Sequence, residues 1–347
     1  MTDAVNVVQK VWGVSGPERR RTIEDRILHR VKGGSGSGNY GHSGRPGKRG
    51  GSGPGGSVGG AGSGAGGLRK ADAAAIEGFK VREGDLETYR KVMALDTPDA
   101  KAMLEHYGVT REEAYKLIDE ARVKQGANES TKEKHMTDSG AYTPERAALH
   151  DKLVDDIVGE ADSVPEGESP TILFTGGYPG SGKSSMMENP EYAERIKDYV
   201  QVDSDNIKGR LAANDGIKKV TWQAQGYHEE SDDVLVRAIQ GAAAQNKNII
   251  FDGTMKTGSK VVKLAEDFRK RGYNVEFAFA DLPMDKAMTR AVGRFLGGGR
   301  FVDPAYISSH DHKNIASFDQ PKGVADTWRH WNTDVARGSP ATLVGEG

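Results

Sequence analysis

The chain has 347 residues, a formal net charge of −2 and a pI near 6.5, which argues against a globally basic nucleic-acid binder. It contains no cysteine, so disulfides and thiolate metal sites are excluded and a reducing compartment fits. The N-terminus lacks a basic segment followed by an apolar core, and no apolar run approaches membrane-spanning length; the expectation is a cytoplasmic protein with no membrane partner.

In chain order, residues 1–32 contain Ile23, Ile27, Leu28 and Val31 on one helical face, a stripe too short to stand alone and read as a helical arm. Residues 33–67 follow, with Gly at 18 of 35 positions and almost no apolar residues, which predicts a disordered linker. Arg45, Lys48 and Arg49 make that stretch locally basic, and solvation is the ordinary role of such a run. Residues 68–126 carry helix signals. Thr97-Pro98 reads as an N-cap with proline at the first helical position, Gly108 as a stop, and Thr110 to Glu113 as a capping box. This predicts a small helical module without recognisable chemistry. Residues 127–142 lack apolar periodicity and read as a polar linker; Thr143-Pro144 then caps a helix that opens a domain over 143–338, with 339–347 as a tail.

The domain is organised around one stretch. Thr171 to Thr175 reads as a strand, and Gly177-Tyr178-Pro179-Gly180-Ser181-Gly182-Lys183-Ser184, followed by Ser185, completes the pattern G-x-x-x-x-G-K-[ST]. The glycines permit φ > 0, so backbone N–H groups can face phosphates; Lys183 would reach the β and γ oxygens and Ser184 would ligate Mg²⁺. Further strands are expected at 199–202, 248–251 and 274–280, with a late one at 341–344. Amphipathic helices at 231–244 and 260–271 lie between them. Alternating strands and helices predict an α/β fold, a P-loop kinase-like parallel sheet with helices on both faces and ligands at the carboxyl ends of its strands.

Polar residues follow each strand. Asp203 and Asp205 come after the second, and Asp252 and Thr254 after the third; such carboxylates hold Mg²⁺, accept a hydroxyl proton or merely cap a helix. A two-residue spacing in an extended segment would point Asp203 and Asp205 the same way, so spacing does not choose between them. After the fourth strand, Arg290 and Arg294 share a helix face, and Arg300 follows Gly297-Gly298-Gly299, read as a hinge that brings a cation to a transferring phosphoryl group. Arg290 fits a solvated face. His228, Glu229 and Glu230 open a helix and could bind a hydroxylated substrate or act as capping residues.

The phosphate loop, Val202 to Lys208, His228 to Ser231, Phe251 to Thr254, and Arg294 with Gly299 to Val302 together resemble the zeta toxin family, P-loop kinases of toxin–antitoxin systems and their phage relatives. The resemblance spans roughly 143–334. It implies transfer of the γ-phosphate of Mg-ATP to the 3′-hydroxyl of UDP-N-acetylglucosamine. Lys183 and Ser184 would bind phosphate and Mg²⁺, and Asp205 would be the general base. Asp252, where the family often has Glu, would stand near metal and substrate, and Arg294 and Arg300 would clamp phosphates. An antitoxin or a phage structural protein would be the partner of the N-terminal part; residues 38–52 are similar to linkers of phage head-associated proteins, which suggests a phage or prophage source. Two other readings compete: a P-loop kinase acting on a nucleotide or nucleic-acid end, and a virion-associated binding protein with an idle kinase fold. No Asn-Lys-x-Asp follows the loop to read guanine.

Overall fold

The structure, a computed structural model, describes residues 68–310, 314–336 and 339–347; the expected arm and the glycine-rich linker lie outside the described residues. At its centre is a six-stranded sheet of β1 (Thr171–Gly176), β2 (Val200–Asp203), β3 (Ile249–Asp252), β4 (Asn274–Asp281), β5 (Thr327–Asn332) and β6 (Thr342–Glu346) in the order β2-β3-β1-β4-β5-β6. The first five pair in parallel and β6 pairs antiparallel to β5, so the expected parallel sheet carries one reversed edge.

The inner strands are apolar on both sides because helices cover both faces. Ile172 and Phe174 of β1 face a cluster with α6 (Pro144–Val158), α9 (Ser204–Asn214), α10 (His228–Ala244), α11 (Gly258–Arg269) and Phe318 of α14 (Asn314–Lys322). Leu173 points the other way, into Met186 of α7 (Lys183–Met187) and Tyr192 and Ile196 of α8 (Pro190–Ile196). Pro190 separates α7 from α8, as the Asn189-Pro190 pair predicts. The strand β5 has no counterpart among the expected elements. Its sequence Thr-Trp-Arg-His-Trp-Asn lacks an apolar alternation, and only Trp331 is fully buried.

The helical module consists of α1 (Lys70–Phe79), α2 (Glu83–Met93), α3 (Pro98–Tyr107) and α4 (Arg111–Gly126). The expected caps are present. Thr97 accepts from Ala100 N, Gly108 takes φ +61°, and Thr110 and Glu113 complete a capping box. The module shares one apolar cluster with the sheet domain: Tyr89, Val92 and Ile118 join Ala287, Met288 and Val292 of α12 (Met284–Leu296) and Ile307 of α13 (Pro304–Ser308). Its Arg122 makes a buried fork onto Asp303, with Nε at 2.9 Å and Nη2 at 2.9 Å. The segment 127–142, expected as a linker, instead contains α5 (Thr131–His135) and is bonded to the domain. Asn128 donates to Trp222 O at 2.8 Å, Thr131 N to Gly226 O at 2.9 Å and Tyr142 to Asp233 at 2.7 Å. Hydrogen bonds to distant backbone and side chains carry this packing, so apolar periodicity gave no sign of it.

Candidate active site

The phosphate loop joins β1 to α7, and its glycines are in the conformations the motif requires: φ is +127° at Gly177, +87° at Gly180 and +87° at Gly182. Close approach adds to the requirement. A Cβ on Gly177 would stand 2.5 Å from Ala280 O, and one on Gly180 2.5 Å from Ala287 O. Lys183 is half-buried, with no ion pair among the described residues, and Ser184 and Ser185 are exposed at the start of α7. Pro179 is half-buried. Two loop side chains are turned away from any ligand. Tyr178 is 2% exposed and packs edge-on to His310, and Ser181 is fully buried, so both offer only backbone to a nucleotide.

At the strand ends, Thr175, Asp252 and Asp203 are register partners across β1, β3 and β2. The Thr175 hydroxyl donates to Asp252 and accepts from Gly253 N at 3.3 Å. Asp203 Oδ1 accepts from Asp205 N at 2.8 Å and so caps α9. Asp205 therefore lies in the first helical turn and not in an extended segment, and the two carboxylates do different work. Burial, with the like charges of Asp252 and Asp205, pushes Asp203 up to about 6. Burial would also raise Asp205, but Arg300 and Lys208 overcome it and hold the group at about 2. Arg300 is ion-paired to Asp205, and Lys208 Nζ lies 3.3 Å from it. Asp205 is still 41% exposed, open on the side away from its partners.

The Gly297-Gly298-Gly299 segment is a helix cap, not a hinge. Gly299 N donates to Arg294 O and Gly298 N to Phe295 O, both at 2.8 Å, with Gly298 at φ +76°; this is the Schellman pattern, which favours glycine at the left-handed position. Arg294 is exposed, with its stem against Gly299; desolvation and the neighbouring Arg300 disfavour its charge, whereas Asp205 favours it. Arg290, which fitted a solvated face, reaches the phosphate loop. Its Nη2 donates to Thr333 O at 3.0 Å, and its Nη1 would lie 3.5 Å from a Cβ on Gly182. Thr333 in turn donates to Ser181 O, so the turn after β5 buttresses the loop. Neither Thr333 nor β5 had a sequence signal, but Lys208 was readable as the residue one turn from Asp205.

The third cluster divides. Glu230 is fully buried, bonded to Arg146 Nη2 at 2.9 Å and His150 Nε2 at 2.7 Å, and faces no ligand. Its place at a helix start suggested an exposed group, but the helix is sunk against α6, where a buried carboxylate needs partners. Glu229 is exposed and accepts from Ser130 at 3.0 Å, while His228, 47% exposed, stands one turn from Asp232. Thr254 is half-buried beside the loop, its carbonyl accepting from Gly177 N at 3.3 Å.

Residues 155–320, which hold the phosphate loop, the paired aspartates and the arginine cap, match the sequence model of the zeta toxin family. This segment is a zeta toxin domain. It is similar to the toxin zeta of Streptococcus pyogenes, 23% identical over 137 residues, covering 37% of this chain and 45% of that protein. It is likewise similar to the toxin zeta of Enterococcus hirae, 22% identical over 158 residues, covering 43% and 52%. The chain thus spans about half the length of the curated relatives it matches. Among solved structures, one from the PezAT chromosomal toxin–antitoxin system of Streptococcus pneumoniae superposes with a TM-score of 0.42 and 16% identity, covering 59% of this chain and 82% of that one. The native AvrRxo1-ORF1:-ORF2 complex gives 0.49 and 20%, covering 60% and 69%, and the same pair with ATP gives 0.45 and 18%, covering 60% and 68%. Outside the zeta toxin domain stand the helical module, the bonded strap, most of α6, and the strands β5 and β6.

Proposed function

We propose that the zeta toxin domain is an ATP-dependent kinase that transfers the γ-phosphate to a hydroxyl of a nucleotide sugar, the 3′-hydroxyl of UDP-N-acetylglucosamine. The observation that carries this reading is the meeting of Asp205 with Arg300 at the carboxyl ends of the strands that present the phosphate loop. Loop N–H groups and Lys183 receive the nucleotide phosphates, and Arg290, Arg294 and Arg300 supply positive charge where the transferred group becomes most anionic. Phosphate oxygens compete with Asp205 for Arg300. A carboxylate released from that pair is more basic and can accept the proton of the acceptor hydroxyl.

Mg²⁺ fits the residues present: the Ser184 hydroxyl and the Asp252 carboxylate form an all-oxygen donor set, and Asp203 crowds Asp252 with a second carboxylate. Bound there, the ion would neutralise phosphate charge and orient the γ-phosphoryl group. Thr254 and His228 with Glu229 would contact the acceptor from the remaining sides. The partner is an antitoxin or a phage structural protein engaging the N-terminal part, and the reaction belongs to the cytoplasm of a host cell.

The test is to incubate the protein with Mg-ATP and a panel of nucleotide sugars, nucleotides and oligonucleotides and to identify products by mass. A phosphorylated UDP-N-acetylglucosamine is the expected product. Phosphorylation of a nucleotide or an oligonucleotide end alone would overturn the acceptor, and no product from any of them would overturn the kinase.

A further inference from the structure

The loop that carries Arg300 is gripped at both ends by a part of the chain outside the zeta toxin domain. At its start, Gly293 and Gly297 stand one turn apart on α12 and leave a notch in the helix surface. Side chains of α3 fill it. A Cβ on Gly293 would lie 2.9 Å from Met103 Cγ and 3.4 Å from Tyr107 Cε2; one on Gly297 would lie 3.0 Å from Tyr107 Cε1. The Tyr107 ring thus packs against the last turn of α12, directly before the Schellman cap formed by Gly298 and Gly299. At the far end, Asp303 caps α13 through Ala305 N at 2.9 Å and is held by the buried fork of Arg122 from α4. Arg122 is itself fixed by Tyr89, whose hydroxyl accepts from Nη2 at 2.7 Å, and by Asp72. Beyond the loop, Phe79 of α1 packs edge-on to Tyr306, the α13 residue whose hydroxyl feels the charge of Asp205.

All four module helices therefore pack on the stretch 297–308, and Arg300 lies between two of their anchors. We propose that the helical module 68–126 is a clamp that aims Arg300 across the cleft at Asp205, with Tyr107 as its principal positioning residue. The proposal rests on the reading of the site as a phosphoryl-transfer centre. Its physical basis is that, among the described residues, one long backbone bond, Phe301 N to Thr221 O at 3.3 Å, ties the loop between the glycine cap and α13, so what packs on the two ends sets where Arg300 points. A displacement of about 1 Å in a transition-state contact can lower turnover by about 10²-fold.

The full chain carrying Tyr107→Ala is compared with wild type, with Tyr107→Phe, and with Ile157→Val, a buried truncation in α6, away from the module and the loop, that serves as the stability control. If Tyr107→Ala fails to fold, Tyr107→Leu, which keeps bulk but not the aromatic ring, takes its place. Two readouts are taken. The first is the steady-state split, in which kcat should fall about 10- to 100-fold in Tyr107→Ala with little change in KM for ATP and be restored in Tyr107→Phe. The second is amide hydrogen exchange over 297–302, where the Gly298 and Gly299 amides should exchange faster in Tyr107→Ala than in Ile157→Val at matched global stability. Unchanged exchange there, or a kcat loss that Ile157→Val reproduces, would overturn the clamp. Absence of any wild-type product would instead defeat the kinase reading, and the exchange measurement would still decide whether the module holds the loop.

Discussion

Two carboxylate–arginine pairs invite comparison, Glu230 with Arg146 and Asp205 with Arg300. Both carboxylates are held near pH 2: burial would raise each, and cationic or hydrogen-bonding partners outweigh it. In the interior, Glu230 is fully buried and closed on all sides by Arg146 and His150, while Arg146 also bonds Asp215. At the cleft, Asp205 is 41% exposed and Arg300 22%, so the same chemistry is left open to a competing anion. A pair closed by protein can serve only the fold. One with an open side can exchange its partner for a ligand.

The largest effect expected on the open side is that of Lys183→Ala, which should reduce phosphoryl transfer below detection by product mass while leaving the unfolding midpoint near wild type, since the side chain makes no ion pair among the described residues. Retained turnover would remove the phosphate loop from the mechanism. Asp205→Asn should lower turnover by about 10²- to 10⁴-fold with ATP still bound, as loss of a positioned general base does. Asp203→Asn should cost much less, because a cap needs only an acceptor oxygen and asparagine keeps one; steady-state kinetics with both variants would reverse the assignment if the effects came out in the other order.

The closed pair should respond in stability and not in turnover per folded molecule. Glu230→Gln leaves Arg146 buried without its main counter-charge and should cost about 3–5 kcal/mol in urea unfolding. The sign of its pH dependence follows from the lowered value. Glu230 ionises at about 2 in the folded state against an ordinary 4.5, so its contribution is full above about 4.5 and is lost as pH falls towards 2. Urea midpoints taken across that window should fall less steeply in Glu230→Gln than in wild type; parallel slopes would show that Glu230 is not the group being titrated. The smallest expected effect belongs to the cap. Gly298→Ala places a Cβ at φ +76° and should cost about 1–2 kcal/mol, read as a lowered thermal midpoint.

Much of this arrangement was legible in the residues. The apolar strand before the phosphate loop, the glycines whose φ is positive, the caps at Thr97 and Thr110 and the order of β1 to β4 follow from local chemistry, in which a residue's type constrains its own backbone and its near neighbours. The aspartates and arginines that follow the strands were found for the same reason: an α/β sheet places its functional groups at the carboxyl ends of its strands. Tertiary structure decided the rest. The sequence alone did not tell that the Asp203 cap leaves Asp205 to Arg300, because both carboxylates stand at a helix start. Nor did it tell that Glu230 is buried while Glu229 is not, since adjacent residues differ only in which way the helix is turned against α6. β5 and the strap at 127–142 are defined by polar contacts with distant backbone, and Tyr107, Arg122 and Arg290 by what lies across from them. Such contacts join residues up to 181 positions apart, as between Arg122 and Asp303, and no local pattern encodes a partner at that distance.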